Sequence, residues 1–322
     1  MKPEEALKAT YATLACTASD GSRVCFAAST SGLARSTDDG RTWHDAYASL
    51  DAQSAITTLA VAASPAFAVD RFLLSGTIDG VLSSRDAGTT WATLEFPAPA
   101  PAISSIVFSP NFSKDGFAFA GTLENGVYCS AGRGMMWAAW NFGLTDLNVL
   151  DLAVSPQFAT DGTLFAATES GVFRSANGGR GWRDTAFPSE FSPVISIGVS
   201  PLYAIDHTLF AGTEEHGLLR STDEGSHWDS LGEAHISGAV NTIEFCSAYA
   251  FNPQILALAN GVVVLSLDGG DTWSTMTHDK PLHAGIASMA AMTPIAPDME
   301  LLLGLTDGSV VTSRAITDLS DD

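Results

Sequence analysis

An eight-residue pattern recurs along this chain at a nearly constant interval. Residues 36–43 read STDDGRTW, 84–91 SRDAGTTW, 221–228 STDEGSHW and 266–273 SLDGGDTW. Weaker copies stand at 130–137 (SAGRGMMW) and 175–182 (SANGGRGW), and a seventh position near Ser313 keeps only the serine. The serines lie 48, 46, 45, 46, 45 and 47 residues apart. A period this steady over nearly the whole length means one supersecondary unit copied seven times.

A second motif travels with the first. SPAFAVDRFLLSGTIDGVLSS begins at Ser64, and related segments begin at Ser109, Ser155 and Ser200, with eroded forms elsewhere such as TPIAPDMELLLGLTDGSVVTS from Thr293. Each period then parses into four strands. Strand A is an apolar run such as Val149–Val154, a turn with Pro and Asp-Gly follows, and strand B spans 163–167. A short turn ending in Gly leads to strand C at 172–175. The eight-residue box makes the next turn and its Trp opens strand D. Four strands in about 45 residues is the arithmetic of a propeller blade. The expectation is an all-β, seven-bladed β-propeller with four-stranded antiparallel blades, as one domain over 1–322. The blades fall at approximately 11–50, 55–97, 102–142, 147–187, 193–232, 239–278 and 284–319.

The box residues have turn chemistry. Asp38, Asp86, Asp223 and Asp268 are placed to accept backbone amides within the turn. Gly40, Gly88, Gly225 and Gly270 supply a conformation that a Cβ penalises. The box tryptophans, Trp43 to Trp273, serve as apolar plugs, each burial contributing about 2–3 kcal/mol. A calcium loop needs several oxygens converging from alternate positions, whereas each box offers one consistent acid. No metal site is therefore expected.

Fifteen Lys and Arg face 36 Asp and Glu, for a net charge of −21. Such a surface repels phosphate backbones and anionic lipid heads, so neither nucleic acid nor a membrane is an expected partner. A protein or peptide with a basic patch is. The first residues, MKPEEALKATYA, carry acids where a signal peptide is basic, and no long apolar run follows. A cytoplasmic location is expected. Cys16, Cys25, Cys129 and Cys246 match no zinc spacing. If Asp20-Gly21 forms a two-residue hairpin turn, Cys16 and Cys25 face each other across two strands, although free thiols are the expectation for a reducing compartment.

The S-x-D-x-G-x-T-W motif at this period resembles the Asp-box, or BNR-repeat, propellers of the sialidase-like superfamily. In pattern the chain is most similar to single-propeller photosystem II assembly factor-like proteins and to xyloglucanase-type repeats. That resemblance implies the fold and leaves function open. A sialidase would carry three arginines clamping a carboxylate, a Tyr nucleophile paired with Glu, and an Asp acid. Arg35, Arg174 and Arg220 instead occupy equivalent strand-C places, and the five tyrosines (Tyr11, Tyr47, Tyr128, Tyr203, Tyr249) include three at repeat-equivalent positions. The xyloglucan-cleaving enzymes resemble two such propellers facing each other, and this chain has room for one. Without a second half, the paired carboxylates of glycoside hydrolysis lack opposing walls.

The resemblance further implies that sites use the face bearing the B–C turns and D–A connections. The B–C turns are acidic: Asp79, Glu124 with Asn125, Glu169, Glu214 with Glu215 and His216, and Asp307. Sevenfold geometry would set them in a broken ring able to hold a basic peptide, with Glu214-Glu215-His216 the most chemically varied turn. Short solvated turns also favour these residues for their own sake. Among D–A connections, 138–148 adds Trp140 and Phe142, and 187–193 adds Phe187 and Phe191; Trp140 is a candidate anchor, and packing between blades is the alternative. The seven histidines show no metal-binding spacing. The functional expectation is a non-catalytic interaction or assembly module without cofactor or catalytic residues. The alternative is a carbohydrate-active protein, glycoside hydrolase or lectin, with an atypical site on the same face. The last unit has no evident strand D: 315–319 or residues 4–11 are the two candidates, and the acidic tail at 318–322 is expected to fray.

Overall fold

The computed structural model describes residues 9–50, 54–231 and 236–317, so the 318–322 tail and His235 lie outside the described residues. The unit around Val149 shows the plan. Strands Val149–Val154, Leu164–Thr168, Gly171–Ser175 and Arg183–Asp184 pair antiparallel in the order A-B-C-D. Units 1 to 5 each form such a four-stranded sheet, while units 6 and 7 share one seven-stranded sheet. The seven A strands are Thr10–Thr17, Thr58–Ala63, Ile103–Phe108, Val149–Val154, Val194–Val199, Val240–Phe245 and Ile286–Ala291. Each lies against the next, and the last returns against the first, so the units close a ring around a central channel.

B strands are buried on both faces, which is why they read as continuous apolar runs. Phe26, Phe119, Phe165 and Phe210 are fully buried B-strand side chains. They also explain the box glycines. A Cβ on Gly88, whose φ is +77°, would sit 2.5 Å from Phe26 of the preceding unit, and one on Gly270 would sit 2.8 Å from Phe210. The box glycine thus serves both its own left-handed turn and the ring of the neighbouring sheet.

The box closes on itself. Asp86 Oδ1 accepts from Ser84 Oγ (2.8 Å), Thr89 N (3.0 Å) and Thr90 N (2.9 Å), and Oδ2 accepts from Thr90 Oγ1 (2.6 Å). Trp91 Nε1 donates to Gly88 O at 3.2 Å. Trp91, Trp137, Trp182 and Trp273 are buried, and Trp43 and Trp228 half-buried. Unit 4 substitutes Asn177, which holds Ser175 Oγ (3.0 Å) and Gly181 N (2.8 Å) through Oδ1.

The A–B connection is more than a turn. It contains a four-residue helical turn in units 2 to 5, Phe67–Asp70, Phe112–Asp115, Phe158–Asp161 and Tyr203–Asp206. A second carboxylate pin holds it: Asp161 accepts from Ser155 Oγ at 2.6 Å and Thr163 N at 2.8 Å. Strand A of unit 4 falls where expected, strands B and C start a residue off, and strand D is only two residues long in units 1 to 4.

Two conditional readings are corrected. Strand A of unit 1 pairs Cys16 with Val24 and Ala15 with Cys25. Ala18 N donates to Ser22 O (2.8 Å), enclosing a three-residue loop with Gly21 at φ +82°. That one-residue change in loop length sends Cys16 and Cys25 to opposite faces of the sheet. Cys16 packs toward unit 2 and Cys25 toward unit 7, and all four cysteines are free and buried. Among the described residues unit 7 also takes neither proposed strand D; 4–8 and 318–319 lie outside them. Ala315 and Ile316 continue its strand C, and Tyr11 belongs to strand A of unit 1. The far half of unit 6's strand D pairs there instead, with Met276 opposite Thr317 and His278 opposite Ala315. Asp279 N then donates to Arg314 O (3.0 Å) and Lys280 Nζ to Thr312 O (3.1 Å), covering the remaining edge until Pro281 ends the run.

Candidate functional site

Hydrogen bonds sort the connections onto two faces. The boxes meet A–B turns on one: Ala87 N to Arg71 O (3.1 Å), Gly178 N to Gly162 O (2.8 Å), Glu224 N to His207 O (3.1 Å). B–C turns meet D–A connections on the other: Gly80 N to Pro101 O (3.0 Å), Gly126 N to Leu147 O (2.8 Å), Glu214 N to Pro193 O (3.2 Å), Thr306 N to Gly285 O (2.9 Å).

On this second face Asp79, Glu124, Asn125, Glu169, Glu214, Glu215, His216 and Asp307 are all exposed. They stay distributed around the rim; among the described residues no three His, Cys, Asp or Glu side chains group to hold a metal. Unit 5 gathers the most varied chemistry. His216 N donates to Thr213 Oγ1 at 2.8 Å, and its ring meets Phe191 edge-on at 5.5 Å, next to the exposed Glu214 and Glu215. In unit 7 hydrogen bonds from Ser309 Oγ (2.6 Å) and Ser309 N (3.0 Å) hold the Asp307 carboxyl below its ordinary pKa, with His283 3.1 Å away.

Trp140 lies elsewhere. It is half-buried between units 3 and 4, against Phe117 and 5.1 Å beneath the Arg180 guanidinium, and its carbonyl accepts from Trp182 Nε1 at 2.8 Å. Phe187 is buried on Trp228. The strand-C arginines are struts between neighbours: Arg35 Nε to Ala87 O (2.8 Å), Arg174 to Glu224 (2.6 Å), Arg220 to Asp271 (2.6 Å).

The central channel holds a cavity of about 400 Å³ whose lining includes two acids that the motif reading passes over, Asp151 and Glu244. Asp151 Oδ1 accepts from Ser105 Oγ of unit 3 (2.9 Å) and Leu152 N (2.8 Å), and Oδ2 accepts from Ile197 N of unit 5 (3.0 Å). One carboxylate therefore ties three consecutive units. Glu244 Oε2 accepts from Ala291 N of unit 7 at 3.3 Å. Burial pushes the Asp151 carboxyl up to about 6 and Glu244 up to about 7. A signal for Asp151 exists in the sequence: positions equivalent to it are Ala12, Ala60, Ser105, Ser196, Thr242 and Ser288, so an acid there breaks the repeat.

No protein-family model matches the chain, and no curated protein does. Solved structures do. An ancestral GH74 enzyme aligns with a TM-score of 0.72 at 17% identity, over 96% of this chain and 46% of its own. The GH74 xyloglucanase from Xanthomonas campestris aligns at 0.68 and 16%, over 98% and 53%. YCF48 bound to a D1 peptide aligns at 0.65 and 16%, over 99% of this chain and 95% of that one. The chain thus spans about half the length of the GH74 enzymes and nearly all of YCF48. Likeness at such identities speaks for architecture alone: the chain has a β-propeller fold.

Proposed function

We propose that this chain is a seven-bladed Asp-box propeller that acts as a non-catalytic interaction or assembly module in the cytoplasm. It binds a protein or peptide with a basic patch through the B–C/D–A face. The observation that carries this reading is the exposure of every B–C carboxylate on that rim, in a chain of net charge −21. Exposed charges of one sign steer a partner of the other and make its capture salt-sensitive. The Glu214-Glu215-His216 turn, with Phe191 beside it, supplies the anchor. The likeness to YCF48, seen with a peptide bound, supports the class of partner.

Affinity capture from native lysate, identified by mass spectrometry, tests this. The expected result is a partner whose recovery falls with added salt and with a Glu214→Ala, Glu215→Ala, His216→Ala triple variant. Unchanged capture by the variant removes that turn from the reading. The likeness to GH74 enzymes supports the second reading, a carbohydrate-active protein using the same face. Turnover of a glycoside panel by the purified protein would establish it and reverse the first.

A further inference from the structure

A second cavity lies away from that face. It is a groove of about 690 Å³ on the outer wall between the boxes of units 4 and 5. Its size is that of a small-molecule site. Phe142 stands in it 85% exposed. Around it stand Asn177, Arg174, Arg183, Asp184 and Glu224. Arg174 Nε is buried and unpartnered, and among the described residues Arg183 has no ion-pair partner. Ala186, also lining the groove, is held at φ +53°, a strained value for a residue with a Cβ.

The groove exists because unit 4 departs from the repeat. Thr42, Thr90, Met136, His227 and Thr272 occupy one box position, and unit 4 has Gly181 there. A Cβ on Gly181 would lie 3.7 Å from Phe142 and 3.2 Å from Asn177 Nδ2, so any ordinary box residue would cover the Phe142 ring.

We propose that this groove binds a short neutral oligosaccharide. Two guanidinium and two carboxylate groups line it, so the wall carries no net charge for an ionic ligand to neutralise. What it offers is an exposed aromatic face beside planar hydrogen-bonding groups. A pyranose ring matches both, with an apolar C–H face for Phe142 and a hydroxyl rim for Asn177, Asp184 and Arg183. The site is independent of the peptide-binding rim, and the two fail separately.

The test is isothermal titration calorimetry of the full chain with short neutral gluco-, xylo- and galacto-oligosaccharides. At least one series binds saturably, and Phe142→Ala weakens it by about 10-fold or more. Gly181→Thr installs the box residue of units 1, 2 and 6 at an unstrained φ, so the chain still folds with a cooperative melt, yet the variant abolishes binding. The Glu214, Glu215, His216 triple variant binds sugar as wild type does. Absence of binding up to about 10 mM of every series overturns the proposal. So does binding that Gly181→Thr leaves intact, or a protein partner that Gly181→Thr releases while no sugar binds.

Discussion

Removing the carboxylate of Asp86 isolates what one box pin contributes. It takes away four hydrogen bonds, from Ser84 Oγ, Thr89 N, Thr90 N and Thr90 Oγ1. Each is worth about 0.5–1.5 kcal/mol, and water replaces part of this because Thr89 and Thr90 are exposed, leaving about 2 kcal/mol for Asp86→Ala. Asp86→Asn has a precedent in the same chain. Asn177 keeps two of the three Oδ1 bonds, those from the box serine and from the residue before the Trp, and makes no counterpart to the Oδ2 bond, so the cost falls to about 1 kcal/mol. Unfolding entropy of about 2.1 cal/mol/K per residue over 322 residues converts these into Tm losses of about 3 °C and 1–2 °C. Scanning fluorimetry on the intrinsic tryptophan emission measures both. Burial alone would raise the Asp86 carboxyl, but the Thr90, Ser84 and Thr89 bonds outweigh it and leave its pKa below the ordinary 3.8. The pin therefore acts above that pH and is lost as pH falls through the lower folded value, so wild type and Asp86→Ala converge in acid. An Asp86→Ala protein melting within about a degree of wild type at neutral pH would refute the pin as a stabilising device.

Unit 3 offers the reverse experiment: Gly132 has an unstrained φ and open space where a Cβ would go, so Gly132→Asp should gain about 0.5–1.5 kcal/mol, read as a raised urea midpoint. Gly212→Ala should cost about 3 kcal/mol or more, because its Cβ would meet the Val240 carbonyl at 2.5 Å; near-normal soluble yield and midpoint would contradict the close approach of units 5 and 6. Glu244, raised from 4.5 to about 7 by burial, contributes stability fully below its unfolded value and loses it as pH rises through about 7. Glu244→Gln should thus lose less Tm than wild type between pH 5 and 8, and an identical pH slope would show that Glu244 does not titrate there.

What the sequence made legible was whatever repeats. The box Asp, Gly and Trp take the turn, backbone and packing roles that their spacing implies, and the rim acids of the B–C turns are exposed as expected. The misreadings concern single-copy features. A hairpin loop of two residues or three looks the same around Asp20-Gly21, yet the difference reverses which face Cys16 occupies. The sharing of strand D between units 6 and 7 depends on strand C running straight on past Ser313, where no box turns it. Trp140 was ambiguous in sequence because an aromatic residue in a connection serves a rim or an inter-sheet gap equally; the glycine at 179 opens the gap that receives it. Asp151 and Glu244 were hidden inside apolar runs, where only comparison with the other units marks them as exceptions.

The two neighbours of unit 7 are joined to it by different means. On one side it shares a strand with unit 6. On the other, among the described residues no backbone ladder links it to unit 1; Cys25, Ala290, Met292 and Leu302 meet there without a fully buried aromatic, and Thr312 Oγ1 donates to Asp39 O at 2.8 Å. The circle is therefore a bracelet with one welded link and one clasp, and the clasp falls between the first unit and the last. Under load or heat the molecule should unroll from that point and not shed sheets at random. A circular permutant that stitched the clasp shut and cut the chain elsewhere would move the first point of failure with the cut.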